Sequence, residues 1–139
     1  MSDFAREEVL AAFDAFLVLQ EADDWVATIG TFTPDGVYDE CHAGRMVGHD
    51  AIRAWLLPAM EPCQGWTYPE RWRAVEGSHI AYGWYNRLPG QRADGSFYEF
   101  MGTSLKVYAG DGLFSYHEDV YNMQACLDVI GEWQRAQGG

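Results

Sequence analysis

The sequence predicts an α+β domain in which a curved antiparallel sheet wraps around N-terminal helices. Apolar residues recur at helical spacing through much of residues 4–60, whereas aromatic-rich alternating runs fill residues 68–123. The last two runs flank a short turn, Ala109-Gly110-Asp111-Gly112. Wrapping such a sheet around a long first helix leaves a cone-shaped pocket for a small apolar ligand. The 139 residues are expected to form one domain, residues 1–139.

Two helices are predicted at the start of the chain. Ser2 or Asp3 can cap the first, which ends near residues 21–24 and carries Phe16 on its apolar stripe. A second, short helix follows, with Trp25 among its apolar residues. The apolar faces of both helices are available to pack against the sheet.

A turn and a short strand separate these helices from a third. Thr33-Pro34-Asp35-Gly36 is typical of a turn, and residues 37–42 alternate as a strand. Asp50 is predicted to cap the third helix, which Pro58 and Pro62 are expected to close. The order is therefore helix, helix, strand, helix before the main sheet.

Four strands and a final short helix complete the predicted elements. The strands form an antiparallel meander, with a polar loop at Pro89–Gly95 between the second and the third. Their predicted ranges are 68–76, 79–88, 97–108 and 113–123, and the helix covers residues 126–133.

The charge and the cysteine content narrow the classes of function. Nine basic residues against 21 acidic ones give a net charge of −12, which disfavours nucleic acid and anionic membranes as partners. The three cysteines show neither a disulfide framework nor zinc-ligand spacing, and the sequence carries no nucleotide-binding motif. With no leader-like start and no apolar run near ~18 residues, we expect a cytoplasmic protein without a metal or cofactor.

The first predicted strand supplies the main catalytic candidates. Tyr38, Glu40 and His42 share one face of the strand, so a phenol, a carboxylate and an imidazole would line one wall of the pocket. A carboxylate buried at this position is a candidate base, with Tyr38 or His42 as its acid or orienting partner. The alternative is that the strand end is exposed and Glu40 is a solvated rim residue.

The last strand offers further polar groups. Its more apolar face is expected to meet the helices and carries Phe114, Tyr116, Glu118, Val120 and Asn122. Glu118 would then be a further catalytic candidate, and Asn122 would orient a substrate. His117, Asp119 and Tyr121 would face solvent or a partner subunit, with His117 and Asp119 as a surface ion pair or a dimer contact.

The middle strands supply predicted wall residues. Tyr82 and Trp84 share a face with Ile80 and are expected to line the cavity or, alternatively, to fill the core. Glu99 and Thr103 share a face of the next strand. Glu99 is expected either to point inward as a substrate contact or to mark a frayed strand start.

Three segments occur in a characteristic order along the chain. They are Phe32–Glu40 (FTPDGVYDE), Gly48–Leu56 (GHDAIRAWL), and Gly112–Phe114 leading to Glu118–Asn122 (EDVYN). This order resembles the SnoaL-like branch of the nuclear transport factor 2-like superfamily. The resemblance implies the cone-shaped α+β fold. It leaves activity open, because the superfamily includes ketosteroid isomerases, epoxide hydrolases, polyketide cyclases, dehydratases and non-catalytic proteins.

The resemblance also implies roles for single residues. Glu40 matches the ketosteroid isomerase base. The oxyanion-hole Tyr of those enzymes falls near Ala15 or Phe16 and their oxyanion-hole Asp near Thr103, so Phe16 and Thr103 are expected to be substrate contacts. Arg87 matches the Arg of the limonene-type epoxide hydrolases. One Asp of those enzymes and the Asp of the polyketide cyclases both fall on Asn122. None of the three known sets of catalytic residues is complete in this sequence.

Two functions remain open at this point. The first is a cofactor-free enzyme that transfers a proton on a small hydrophobic substrate, as an isomerase, dehydratase, cyclase or hydrolase, with Glu40 as the base. The second is a non-catalytic protein of the same fold that binds a small molecule or serves as an accessory subunit. A homodimer is expected in either case, because an aromatic patch is predicted on the outer sheet face, at Tyr85, Tyr98, Phe100 and Tyr121.

Overall fold

The computed structural model describes residues 4–138, which form four α-helices and six strands. Helices α1 to α4 span Arg6–Glu21, Trp25–Ile29, His49–Met60 and Met123–Gly138, and a short 3-10 helix spans Glu61–Cys63. Strands β1 to β6 span Phe32–Glu40, Gly44–Val47, Glu70–Glu76, His79–Gln91, Phe97–Gly110 and Leu113–Tyr121. The predicted helix cap at Ser2 or Asp3 lies outside the described residues.

The strands form one open, curved sheet in the order β2-β1-β6-β5-β4-β3. Neighbouring strands are antiparallel except β1 and β6, which run parallel. The α+β class and the meander from β3 to β6 are therefore confirmed, although the sheet is mixed rather than wholly antiparallel. Strand β2, which the sequence pattern did not predict, pairs with β1 and forms one edge of the sheet.

The inner face of the sheet packs against the helices through two apolar clusters. Val9, Phe13 and Phe16 lie on one face of α1 and are buried in a cluster with residues of β4, β5 and β6. A second cluster joins α2 and α3 to β1 and β2, with Ile29 and Ile52 at its centre. Members of both clusters line the cavity described below. Of the helices within residues 4–138, none is long and apolar enough to cross a membrane.

Residues 33–36 belong to β1, so the predicted turn is wrong. Phe32 pairs with Phe114, and regular pairing with β6 resumes only at Val37, opposite Tyr116. Pro34 lies in this interrupted stretch, where its missing backbone N–H removes no ladder hydrogen bond. The turn-forming residues therefore make an irregular segment within a strand.

Two further prolines lie inside elements that they were expected to end. Pro58 lies within the last turn of α3, which continues to Met60. A proline there removes only one helical hydrogen bond, close to the helix end. Pro89 lies within β4, at the position where its pairing with β5 shifts between Arg87 and Gln91. The predicted polar loop is accordingly shorter.

One extra residue in β6 breaks the regular alternation of its side chains. Tyr108 of β5 lies opposite Phe114, but the preceding Val107 lies opposite Tyr116. Two residues of β6 therefore oppose one of β5, and Ser115 is the inserted residue of a β-bulge. Because side chains alternate with a period of two, the bulge exchanges the two faces of the rest of the strand.

The predicted orientation of β6 is wrong beyond this bulge. His117, Asp119 and Tyr121 point to the interior and line the cavity. Glu118 and Asn122 do not line it. The prediction that His117 and Asp119 form a surface contact is wrong for the same reason, because the sequence alone does not show the inserted residue.

The predicted orientation of β5 is also reversed. Phe100, Ser104 and Lys106 are buried on its inner face, whereas Glu99 and Thr103 lie on the outer face. The apolar neighbours of Glu99 suggested an interior face, but Met101 is exposed and Phe97 and Leu105 are only half-buried.

The outer sheet face is less aromatic than predicted. Tyr98 and Phe100 are buried, and Tyr121 lines the cavity, so these three do not belong to the outer patch. Tyr85 does lie on the outer side, beneath the Arg71 guanidinium. Large apolar side chains that are exposed on the sheet include Trp72 (42%), Met101 (53%) and Val120 (51%).

Candidate functional site

A cavity of about 260 Å³ lies between the helices and the inner face of the sheet. Its wall is mainly aromatic, and α4 contributes Cys126 and Ile130 to it. The aromatic lining consists of Phe16, Trp25, Phe32, Tyr38, Trp55, Trp66, Tyr68, Tyr82, Trp84, Phe100 and Tyr121. A space of this size and composition suits a small apolar molecule.

Glu40 lies in this wall at the end of β1 and is 4% exposed. One carboxylate oxygen, Oε1, accepts hydrogen bonds from the backbone N–H groups of His42 (2.5 Å) and Ala43 (3.0 Å). The other, Oε2, accepts one from the Tyr121 hydroxyl at 2.7 Å. Burial, and then the Glu40 carboxylate, raise the pKa of Tyr121, so its hydroxyl keeps its proton. Glu40 is thus held by neutral donors.

A second carboxylate, Asp119, lies in the same wall. The hydroxyls of Tyr38 and Ser104 both donate hydrogen bonds to it, the latter at 2.6 Å. The His117 Nε2 atom lies 2.6 Å from the same oxygen, Oδ1. Ser104 in turn accepts a hydrogen bond from the indole Nε1 of Trp84 at 2.8 Å. Asp119 therefore organises hydroxyls from two neighbouring strands and an imidazole from its own.

The electrostatics of Asp119 favour its ionised form. Burial acts to raise its pKa, but the His117 imidazole, followed by the hydrogen bonds from His117, Ser104 and Tyr38, lowers the pKa to about 2. The Tyr38 pKa is raised well above its ordinary value, by burial first and by Asp119 second. At neutral pH the pair is therefore a carboxylate that accepts a hydrogen bond from a neutral phenol.

Lys106 extends this cluster behind the aromatic wall. It is 0% exposed, and its Nζ lies 2.8 Å from His117 Nδ1. The same Nζ lies 3.6 Å from the ring centroid of Phe16 and 4.3 Å from that of Phe114. Burial lowers the Lys106 pKa from 10.5 to about 7, against the opposing attraction of Asp119. Burial, and then the Lys106 charge, lower the pKa of His117.

The structure brings only part of the predicted site together. Glu40, Tyr38, Phe16, Tyr82 and Trp84 all line the cavity. Burial raises the pKa of Tyr82 well above its ordinary value, so it too presents a neutral phenol. The chemical roles predicted for these residues stay predictions.

The remaining five predicted residues lie away from the cavity, so their predicted placement is wrong. The His42 ring lies at the surface, 3.2 Å from the carbonyl oxygen of Tyr121. Thr103 is exposed on the outer face of β5. His42 follows the end of β1, so the alternation that carries Glu40 inward no longer applies to it.

The three other displaced residues have partners of their own. Glu99 accepts a hydrogen bond from Arg87 Nε at 2.7 Å. Glu118 accepts one from the hydroxyl of Tyr116 at 3.2 Å. The Asn122 side chain accepts one from a backbone N–H in the first turn of α4, at 2.9 Å. Each side chain is therefore accounted for by a local structural contact.

Sequence reasoning missed Asp119, His117 and Ser104 as pocket groups, and it missed Lys106 behind them. One feature of the sequence could have indicated this face of β5. Lys106 is the only lysine in the chain, and in the alternating run it falls on the same face as Ser104 and Phe100. A lone lysine on the aromatic face of a strand indicates a buried charge that needs partners.

Polar atoms in the cavity wall also remain unused. The indole Nε1 of Trp25 and the hydroxyl of Tyr68 are buried and have no hydrogen-bond partner within residues 4–138. Their rings meet edge to face with centroids 5.8 Å apart. Unsatisfied buried donors are rare in native proteins, so these atoms are available to a ligand or to water. Among the described residues, no group of three His, Cys, Asp or Glu side chains could hold a metal ion.

No family model matches the chain, and no curated protein matches its sequence. Solved structures do match its fold. A protein of unknown function from Burkholderia pseudomallei, described as NTF2-like, superposes with a TM-score of 0.71 at 13% identity, over 88% of this chain and 97% of that one.

Two further matches carry names that suggest enzymes. A proposed polyketide cyclase from Xanthomonas campestris pv. campestris gives a TM-score of 0.67 at 18% identity, covering 90% of this chain and 98% of that one. An LEH-like epoxide hydrolase from M. tuberculosis gives 0.70 at 17% identity, covering 94% and 95%. At these identities the likeness shows the fold alone. The chain has the nuclear transport factor 2-like fold, and the resemblance read from its sequence is confirmed at that level.

Proposed function

We propose that the protein is a cofactor-free enzyme that transfers a proton on a small hydrophobic substrate, with Glu40 as the base. The observation that carries the proposal is the position of Glu40, a buried carboxylate in the wall of an aromatic cavity. Its hydrogen-bond partners are two backbone N–H groups and the Tyr121 hydroxyl, and within residues 4–138 it forms no salt bridge.

The hydrogen bonds of Glu40 leave room for a substrate proton. A carboxylate has about four lone-pair sites, two on each oxygen. Both sites on Oε1 are taken by backbone N–H groups, whereas from residues 4–138 Oε2 accepts one hydrogen bond, that of the Tyr121 hydroxyl. One lone pair on Oε2 is therefore free to accept a proton, while the two backbone bonds keep the carboxylate fixed.

Tyr38 and Tyr121 are the proposed orienting groups. Both line the cavity and both keep their protons at neutral pH. Tyr38 lies two residues before Glu40 on the same face of β1, next to the Asp119 carboxylate. Each phenol has one O–H, which Tyr38 donates to Asp119 and Tyr121 donates to Glu40. Either phenol stabilises a substrate oxygen that gains charge only when its O–H turns from that carboxylate to the substrate.

The composition of the cavity wall favours a small substrate with one polar group. Its aromatic wall favours an apolar body, and the unpartnered Trp25 Nε1 and Tyr68 hydroxyl can meet a carbonyl, an epoxide oxygen or a hydroxyl. The names of the matched structures, a polyketide cyclase and an epoxide hydrolase, agree with substrates of this kind.

A non-catalytic binding protein is the second candidate function. The observation that favours it is that Tyr38, Ser104, His117 and Asp119 are already hydrogen-bonded to one another. A wall whose polar groups satisfy each other can bind an apolar ligand without reacting with it.

Glu40→Gln tests the proposal, with Asp39→Asn as the matched control. Asp39 is the next residue on β1, but its carboxylate faces outward and pairs with Arg45 at 2.7 Å. A panel of small cyclic ketones, epoxides and hydroxylated aromatics is incubated in D2O, and NMR detects deuterium uptake or conversion. We expect Glu40→Gln to lower turnover by about 10²–10⁴-fold while ligand binding persists, and Asp39→Asn to leave turnover unchanged.

Two results would decide against the proposal. Full activity in Glu40→Gln would show that another group is the base. Binding of panel compounds by the wild type without deuterium uptake or conversion would favour the binding protein instead.

A further inference from the structure

The only lysine of the chain is buried beside the pocket, and packing alone does not account for it. Lys106 is 0% exposed, and the rings of Phe16, Phe32 and Phe114 lie within 5.6 Å of its Nζ. Burial of an amine is costly, and an apolar side chain of similar length would fill this space at a lower cost. The hydrogen-bond partner of Nζ is the His117 imidazole. The buried amine is therefore better explained by a role that depends on its contact with the His117 imidazole.

The hydrogen bonds fix where the protons of this cluster lie. An ionised Asp119 can only accept, so His117 Nε2, at 2.6 Å, must carry a proton and donate it. In a neutral imidazole the other nitrogen, Nδ1, is then an acceptor, and Lys106 Nζ at 2.8 Å is its donor. The amine can donate this bond as an ammonium or as a neutral amine. The arrangement thus holds one tautomer of His117 in both charge states of the lysine.

We propose that Lys106 is a positioning residue whose amine fixes His117 with its proton on Nε2, and so holds Asp119 as the carboxylate that orients the Tyr38 hydroxyl. This role rests on the proposed function, because it concerns the polar wall that would face the substrate. The chain of contacts runs from Lys106 through His117 and Asp119 to Tyr38, and only the last three line the cavity.

The same contacts set the charge of the wall. With Lys106 protonated, its positive charge and the negative charge of Asp119 cancel. With Lys106 neutral, the cluster of Lys106, His117 and Asp119 carries one negative charge. The lowered pKa of Lys106, about 7, places this change near neutral pH. The titratable groups that face Lys106 are His117 and Asp119, both on β6, while α1, β1 and β4 present Phe16, Phe32 and Ile80.

NMR tests the proposal directly, because one lysine gives one set of side-chain signals. Protein labelled with ¹³C,¹⁵N-lysine is titrated from pH 5 to pH 11, and the imidazole nitrogens of His117 are followed in parallel and assigned with His117→Gln. We expect the Lys106 Cε signal to titrate near pH 7, well below the ordinary 10.5. His117 should keep its proton on Nε2, and its Nδ1 shift should follow the same midpoint.

Lys106→Met separates positioning from packing, with Arg135→Met as a control that removes an exposed cation from α4. Without the neighbouring amine, His117 loses both a donor and a repelling charge while Asp119 remains, so its pKa should rise and it should become an imidazolium at mildly acidic pH. Arg135→Met should not change the His117 titration.

Three results would overturn the proposal: a proton on His117 Nδ1 rather than Nε2, a His117 Nδ1 shift that does not follow the Lys106 midpoint, or an unchanged His117 titration in Lys106→Met. If Lys106→Met does not fold, the two wild-type titrations decide. The NMR measurements need no substrate, so a lack of turnover in the Glu40 experiment would reject the proposed function and leave this result standing.

Discussion

Gly102→Ala is a sharp test of how the cavity wall is built. Gly102 lies on the inner face of β5, directly beneath the indole ring of Trp84. A Cβ added there would lie 2.3 Å from Cη2 and 2.4 Å from Cζ2 of Trp84. Both distances are far below van der Waals contact, so the indole must move. Trp84 lines the cavity, and the missing side chain of Gly102 is what lets it lie flat on the sheet.

The cost can be worked out from these contacts. Forcing a methyl group into a packed interior costs about 1–3 kcal/mol. Movement of the indole also strains or breaks the hydrogen bond from Trp84 Nε1 to Ser104, which is worth about 0.5–1.5 kcal/mol. Together these give a loss of about 1.5–4.5 kcal/mol in the free energy of unfolding. The displaced ring should also reduce the volume of the cavity.

Urea denaturation followed by circular dichroism measures this loss. Gly138→Ala is the matched control, because an added Cβ at Gly138 meets no atom within 4 Å. We expect the control to match the wild type within about 0.5 kcal/mol. A loss below about 0.5 kcal/mol in Gly102→Ala would refute the reasoning, since the sheet would then have room for the methyl group.

Two further predictions concern acid stability and assembly. The Asp119 pKa of about 2, against 3.8 unfolded, contributes about 2 kcal/mol of stability above pH 4 that is lost as the pH falls through 2. Asp119→Asn should lack this part of the acid-induced loss in urea titrations at each pH, and equal slopes in both proteins would contradict the assignment. We also propose a homodimer through the outer sheet face, where Trp72, Met101 and Val120 are exposed. Sedimentation should give twice 15.7 kDa for the wild type and a lighter species for Met101→Asp, whereas a wild-type monomer at micromolar concentration would rule the dimer out.

The fold was predictable because its signals are spread along the chain. The α1 stripe through Phe13 and Phe16 and the alternating runs of β4 and β5 each identify an element without reference to the rest. The order of these elements then limits the topology. The turn predicted at Pro34 and the loop predicted from Pro89 lie inside strands, at points where pairing with the neighbouring strand is interrupted. Such an interruption depends on the neighbouring strand and not on the local sequence.

The site was less predictable because it depends on register. Glu40, Tyr82 and Trp84 line the wall, which was one of the two alternatives predicted for each, because regular alternation holds from them to neighbouring buried residues of their strands. Asp119 was placed on the wrong face because the bulge at Ser115 lies between it and the buried Phe114. No residue type marks a bulge of this kind. A single inserted residue was therefore enough to reverse the predicted orientation of the Asp119 carboxylate.

The burial of Lys106 has a practical consequence for labelling. It is the one side-chain amine in the sequence, and it is fully covered in the folded protein. Reagents that attack amines should therefore modify it only when α1 lifts from the sheet or the strands separate, because the reactive nitrogen is otherwise out of reach. Pulse labelling, followed by digestion and mass spectrometry, would read the rate of that opening from the mass added at Lys106, separately from the mass added at the N-terminal amine. Covalent modification of this lysine in the cell would require the same opening.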